Sequence, residues 1–302
     1  MKRNYVELLF FFAILFSGCD TVIHPTLQSA DPVYVVDAFI SDKPETQVIR
    51  LMLSQPYLEA QLPPGVSGAT VWVSDNEGNT FSFAENANEA GVYSWVQSGS
   101  GFGKVGNVYT LSVNVNGESF IAQSKMGRVP KVDSITFQHT DRNDGNPDFY
   151  RGQFWATDPK GPGDTYWIKT YKNGILLNKP SEINLAYDAA FSKGSNFDGY
   201  TFIQPIRNGI NPDDTDANNQ PLSAYSPGDS VYVEIHALTE ATFDYLAQVA
   251  IQTNRPGGFS ELFARPLANV PTNVFNENAK GAKVQGFFNV GSVSGLGKKF
   301  KI

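Results

Sequence analysis

Cysteine is almost absent from this chain: Cys19 is the single one in 302 residues. One thiol leaves no intrachain disulfide and no site built from several cysteines. Histidine is nearly as scarce. His24, His139 and His236 stand far apart, so neither the HExxH spacing nor a close His pair is present to hold zinc. Long apolar runs are missing too: Leu8 to Phe16 is nine residues and nothing like it follows, against the roughly 20 that a spanning helix needs. Positive charge is in deficit, with 23 Lys and Arg against 30 Asp and Glu for a formal net charge of −7. Without a Lys/Arg cluster, phosphate neutralisation supplies no affinity, which argues against nucleic acid as a partner.

The usual catalytic spellings fail as well. A serine-hydrolase elbow requires G-x-S-x-G, and both "GVSGA" (65–69) and "GSVSG" (291–295) miss that spacing. "SGSGFGKV" (98–105) is close to a phosphate loop but has Ser98 where Gly is needed and Val105 where Ser or Thr is needed. It reads as a glycine-rich connection. Acidic residues offer many pairs for glycoside hydrolysis, and no spacing singles one out.

What is present begins at the first residues. Lys2 and Arg3 form a basic start, "LLFFFAILF" (8–16) an apolar centre, and Phe16-Ser17-Gly18-Cys19 a small-residue processing site. That is the pattern of a secretory signal. A cysteine directly after the cleavage point resembles the bacterial lipobox, with Phe16 in the place usually taken by Leu. Residues 1–18 are therefore expected to leave as a signal peptide, and Cys19 to carry covalent lipid that anchors the chain to a membrane. Loss of Lys2, Arg3 and Glu7 makes the remainder one unit more negative. Polar residues 19–32, with Pro25 and Pro32, read as the lipidated N-terminus and a tether, and His24 as a solvated residue within it.

The rest reads as β-structure. Val33–Asp42 and Gln47–Pro56 are rich in β-branched and apolar residues. Val71 and Val73 alternate with Thr70, Trp72 and Ser74, then a turn at 75–79 leads to Phe81 and Phe83. Strands at 91–96 and 106–126 follow, the last pair joined by Asn116-Gly117, a strong hairpin signal. A β-sandwich domain of immunoglobulin-like or transthyretin-like type is expected over 33–129. A second β-rich domain is expected over 130–302, with strands at 134–138, 150–158, 165–177 (turning at Asn173-Gly174), 229–238 and 283–294. Residues 178–225 are poorly patterned. In "DSVYVEIHAL" (229–238) Val231, Val233 and Ile235 form the apolar face, which puts His236 on the other. One helix is expected: Thr239 caps Glu240–Thr253, with Phe243, Leu246, Ala247 and Ala250 on one face. The fold class is all-β with that single helix.

Candidate binding residues are few. Asp214, Asp216 and Asn218 in "NPDDTDANNQ" alternate as hard oxygen ligands for Ca²⁺ do, though the distal bidentate Glu of an EF-hand is missing; Asp141, Asn143 and Asp148 make a weaker version. Among aromatics able to stack on a ligand or a partner, Trp95, Trp155, Tyr166, Trp167 and Tyr171 lie on or beside strands. Trp72 is singled out as a ligand contact because it is out of phase with Val71 and Val73.

The ordered set of lipobox, "VVDAFISD", "VIRLMLSQPY", "VSGATVWVSDNEG", "VYTLSVNVNG", "VPKVDSI", "PGDSVYVEIHALTEATFDYL" and the late "GFFNVGSV" resembles the Bacteroidota lipoproteins grouped as domain of unknown function 4249, across nearly the whole mature chain. Asp37 stands where that family commonly has Gly. The resemblance implies an outer-membrane lipoprotein, on either face of that membrane, with a TonB-dependent transporter as partner and no catalytic residues to map. The function expected is a non-enzymatic binding or accessory subunit. A structural or adhesive surface protein is the alternative, and a carbohydrate-active enzyme comes third.

Overall fold

Asn116-Gly117 and Asn173-Gly174 both turn the chain with positive φ at each residue (50° and 81°, 52° and 80°). Two such residues in succession make the turn whose twist matches a hairpin, and Asn then Gly tolerate it at least cost. Both turns sit where the sequence places them. The first joins β6 (Val108–Val115) to β7 (Glu118–Lys125), and the second joins β10 (Thr165–Lys172) to β11 (Ile175–Leu176). The computed structural model describes residues 30–56, 59–96, 102–140, 149–255, 257–264, 266 and 268–301.

Seven strands before Lys131 follow the expected order: β1 (Tyr34–Ser41), β2 (Thr46–Leu53), β3 (Thr70–Asp75), β4 (Thr80–Glu85), β5 (Val92–Val96), β6 and β7. Their inward positions, among them Val36, Ile49, Leu51, Val71, Val73, Leu111, Val113 and Phe120, form one continuous core. Each such side chain contributes about 1.5–3 kcal/mol by leaving water.

These strands do not complete their sheet alone. The nine-stranded order is β14-β7-β6-β3-β4-β5-β2-β1-β15, with β14 (Val274–Asn276) and β15 (Val284–Gly291) arriving from the end of the chain. β15 runs parallel to β1 along its full length, Tyr34 opposite Val284 through Ser41 opposite Gly291. The chain thus crosses the boundary expected near Val129 and returns, and Pro32–Ile302 forms one compact unit. A parallel partner for β1 needs a long connection, so no local pattern could announce it.

The sheet nearly closes on itself. Across the seam side chains replace a ladder: Asn273 accepts from the Phe288 N–H and donates to its carbonyl, both at 2.8 Å, and Ser124 Oγ accepts from Val290 N–H. Gly286 is needed where β15 meets β1. Its φ is 110°, and a Cβ there would stand 1.9 Å from the Val36 carbonyl oxygen.

The second region holds β8 (Ser134–Thr140) paired with β9 (Phe149–Trp155), and a sheet ordered β11-β10-β13-β16, with β12 (Asn184–Tyr187) also on β10. β13 is Ser230–Leu238 and β16 is Val293–Lys299. A second core gathers Ile135, Phe154, Tyr166, Ile168, Val231, Val233 and Ile235. The expected single helix is present at Glu240–Thr253, capped by Thr239, whose side chain accepts from Thr242 N–H. A shorter one, Gln204–Asn208, lies in the unpatterned stretch with Ile206 buried. The short helix is α1 and the longer α2. Among the described residues no helix is long and apolar enough to cross a membrane.

Candidate functional site

Alternation on β10 and β13 sends one set of side chains into the second core and the other set outward. The outward set is Trp167, Lys169 and Tyr171 on β10, directly opposite His236, Glu234 and Tyr232 on β13. The outer face of the first sheet stands against it. There the odd positions of β1, Asp37 and Phe39, alternate with the core residues Val36, Ala38 and Ile40, and Arg50 of β2 pairs in register with Asp37. Between the two faces lies a crevice of about 590 Å³, lined also by Tyr245, Leu246 and Val249 of α2.

The crevice is held together by charge. Glu234 is 1% exposed, and Lys43, on the turn between β1 and β2, reaches across to place Nζ 2.6 Å from its Oε1. His236 Nε2 is 2.9 Å from Oε2, and Tyr171 donates its hydroxyl to the same oxygen at 3.3 Å. The turn presenting Lys43 is braced from beneath by Gln47, which accepts from Ser41 N–H and donates to the carbonyls of Lys43 and Glu45. Asn289 of β15 ties in the helix, donating to the Ala237 carbonyl and accepting from Thr239 N–H and the Thr242 hydroxyl.

Burial works against every ion here, and the partners decide which stay charged. Burial would raise the Glu234 pKa, but bonds to His236 and Lys43 outweigh it and bring it to about 2. For Lys43 burial pulls down, while Glu234 and Glu45 more than reverse it, so its pKa is raised. Burial, aided by the nearby ammonium groups of Lys169 and Lys43, lowers His236 to about 4 despite Glu234. The imidazole is therefore neutral at pH 7, and its Nε2–H is assigned as donor to Glu234, the only arrangement in which that contact is a hydrogen bond with a carboxylate. Burial, then Glu234, pushes Tyr171 up to about 12. Lys169 is lowered, chiefly by burial, and its Nζ stands 4.1 Å over the Trp167 ring. Asp37 is raised, chiefly by the protein crowded around it, with Arg50 and Lys169 opposing.

This arrangement fixes charge and presents aromatic rings, which suits binding. The carboxylate best placed to act as a base, Glu234, is held ionised at about pKa 2, too weak to take a proton near neutrality. Among the described residues no group of three or more His, Cys, Asp and Glu could hold a metal ion.

Of the residues singled out from sequence, His236 faces as expected and belongs to the crevice, as do Trp167 and Tyr171. Trp72 does point away from the core that takes Val71 and Val73; it is half-buried between Ser82 and Ser112 on neighbouring strands, outside the crevice. The acidic loop turns its oxygens on the protein. Asp214 Oδ1 is 2.5 Å from Lys179 Nζ, and Asp216 Oδ1 accepts from the backbone of Asn218 and Gln220. Trp95 packs on Phe81 and Phe102, Tyr166 is buried with its hydroxyl donated to Asp158, and Trp155 lies under the Arg207 guanidinium. Cys19, His24, Asp141, Asn143 and Asp148 lie outside the described residues. The helix face is turned slightly from the expected one, burying Thr242 and Leu246 and laying Tyr245 on Phe287 at 4.6 Å.

Sequence reasoning missed Asp37, Arg50, Lys169 and Glu234. The signal was the second half of the alternation that placed His236: three successive alternate positions on each strand, Trp167, Lys169 and Tyr171 on β10 and Tyr232, Glu234 and His236 on β13, are aromatic or charged.

Residues 20–295 match the family described as domain of unknown function 4249. The chain belongs to that family. Its members are typically outer-membrane lipoproteins of Bacteroidota, and the matched residues include every residue of the crevice. No curated protein matches the chain.

Proposed function

We propose that this DUF4249 protein is a lipid-anchored accessory subunit of the outer membrane that binds without transforming what it binds. Lipid on Cys19 holds it at the membrane, residues 20–32 give it reach, and a TonB-dependent transporter is its partner. The observation that carries the reading is the crevice between the two sheets: a preformed hollow in the size range of small-molecule sites, with a buried carboxylate held by the Lys43 ammonium and by hydrogen bonds from His236 and Tyr171. Ligand-binding hollows rely on such fixed charge, because groups already ordered lose little entropy when a ligand arrives.

The test is purification of the tagged protein from its own outer membrane in mild detergent, with mass spectrometry of what accompanies it and Cys19→Ala as control. Stoichiometric recovery of a TonB-dependent barrel, lost in the Cys19→Ala protein, is the expected result. Recovery of the lipoprotein alone removes the transporter and moves the weight to a structural or adhesive surface role.

A further inference from the structure

Some of the crevice's charges are taken and some are not. Glu234 is engaged by Lys43, His236 and Tyr171. Asp37, Arg50 and Lys169 have no ion pair within 4.0 Å among the described residues. Lys169 is the informative one. It sits directly opposite Glu234 across the β10–β13 ladder, yet both oxygens of that carboxylate are already occupied, and its ammonium rests over Trp167 instead. An ammonium kept mostly out of water with no carboxylate in direct contact is costly, Glu234 and Asp37 acting on it only from a distance, and a ligand anion would reduce that cost. Arg50 and Asp37 face each other in register across β1 and β2; both side chains keep a solvent-accessible surface, Asp37 within a crowded part of the crevice. Arg50 offers the planar fork that suits a carboxylate.

Two unpaired positive groups and one unpaired negative group share the same hollow with a ring cluster, Phe39 lying 5.9 Å from Trp167 and 6.4 Å from Tyr245. A simple dianion fits poorly because Asp37 repels it. A neutral sugar fits poorly because it brings no charge to meet Lys169, Arg50 or Asp37. The geometry points to a site for a small zwitterion of the amino-acid or short-peptide class: Lys169 and Arg50 take its carboxylate, Asp37 its amine, and Phe39 with Trp167 its side chain. This deepens the binding-subunit reading and rests on it.

Calorimetry on the full-length lipidated protein in non-ionic detergent tests this with four probes: phenylalanine, the dipeptide alanyl-phenylalanine, 3-phenylpropionate and phenethylamine. At least one zwitterion binds saturably, and the probes lacking the amine or the carboxylate bind about tenfold or more weakly; the tighter of the two zwitterions separates a free amino acid from a peptide. Lys169→Met weakens the zwitterion about tenfold. Arg50→Gln, on an exposed side chain, weakens it several-fold. Asp37→Asn abolishes the preference for phenylalanine over 3-phenylpropionate. Absence of saturable binding by both zwitterions overturns the assignment, and so does unchanged affinity in Arg50→Gln and Lys169→Met together. If the probes fail while a barrel still co-purifies, the ligand class falls and the accessory reading stands; if they bind while no barrel is recovered, the reverse holds.

Discussion

Half of the pairings in the nine-stranded sheet join strands consecutive in sequence, such as β3 with β4 and β6 with β7, whereas residues 178–225 contribute one four-residue strand, one five-residue helix and a single 3-10 turn at Pro180–Glu182. The same residue types serve both, held differently. In the sheet, backbone ladders bind the strands and apolar side chains fill one side. In the second region polar side chains stand in for missing backbone partners: Asp188 accepts from Gly163 and Asp164 N–H, Asp158 from the Tyr166 hydroxyl and Gly199 N–H, and Asn184 donates to the Ile206 carbonyl. Order without regular structure is possible when each buried backbone group finds some partner. The lesson is that damage should spread through the sheet and stay local in the second region.

The largest effect tests the sheet's dependence on the far end of the chain. Gly286→Val places a branched side chain where a Cβ alone would stand 1.9 Å from the Val36 carbonyl oxygen, at a φ of 110°. Separation of β15 from β1 is expected, with a loss of about 4 kcal/mol or more. Urea unfolding checks it. If both regions lose stability together, the returning strand couples them; a stable β1–β7 core with only the second region lost would break that view.

The crevice, where the two regions meet, comes next. Glu234→Ala leaves Lys43 and His236 facing a hollow, and a buried ion pair broken from one side costs about 3 kcal/mol. A thermal melt measures it. Acid should act on the same pair in two steps. His236 has its folded pKa lowered from 6.5 to about 4, so the unfolded chain takes up a proton first and stability falls as pH drops from 6.5 toward 4. Glu234, lowered from 4.5 to about 2, contributes fully above 4.5 and its share is lost as pH falls toward 2. His236→Gln removes the upper step, on the order of 2 kcal/mol between pH 6.5 and 4.5. Equal slopes for wild type and variant over that interval would show that the imidazole is already charged in the folded protein.

Legibility followed the same division. Alternation in β3, β6 and β13, both Asn-Gly turns and the Thr239 cap were readable because each rests on residues within one strand or turn of each other. The β1–β15 pairing was not, since it joins residues about 250 apart through a backbone contact that only Gly286 betrays. The crevice was half readable. His236 was placed on the right face, but Lys169 and Glu234 acquire meaning only when the first sheet brings Lys43 and Asp37 against them, and no spacing along the chain encodes that. The acidic loop at Asp214 and Asp216 had the spacing of a cation site, and the structure turns those oxygens on Lys179 and on the loop's own backbone.

The smallest effect sharpens the contrast most directly, because one device is used in both regions. Asn211 accepts from Gly152 N–H at 2.7 Å and donates to the Gly152 carbonyl at 2.9 Å, so its amide takes the place of a neighbouring strand along β9. Asn273 makes the same pair of bonds to Phe288 of β15. Replacing either by Ala strands one buried donor and one acceptor, about 1–2 kcal/mol if water reaches them in part. Asn211→Ala should therefore lower the melting point slightly and speed amide exchange only around β9 and α1. Asn273→Ala, of similar cost, should speed exchange on both sides of the seam, in β7 and β15 alike, because it loosens an edge that the whole sheet shares. Identical, local exchange patterns in the two variants would mean that the seam is held by its apolar packing, and that the polar bridge is incidental to it.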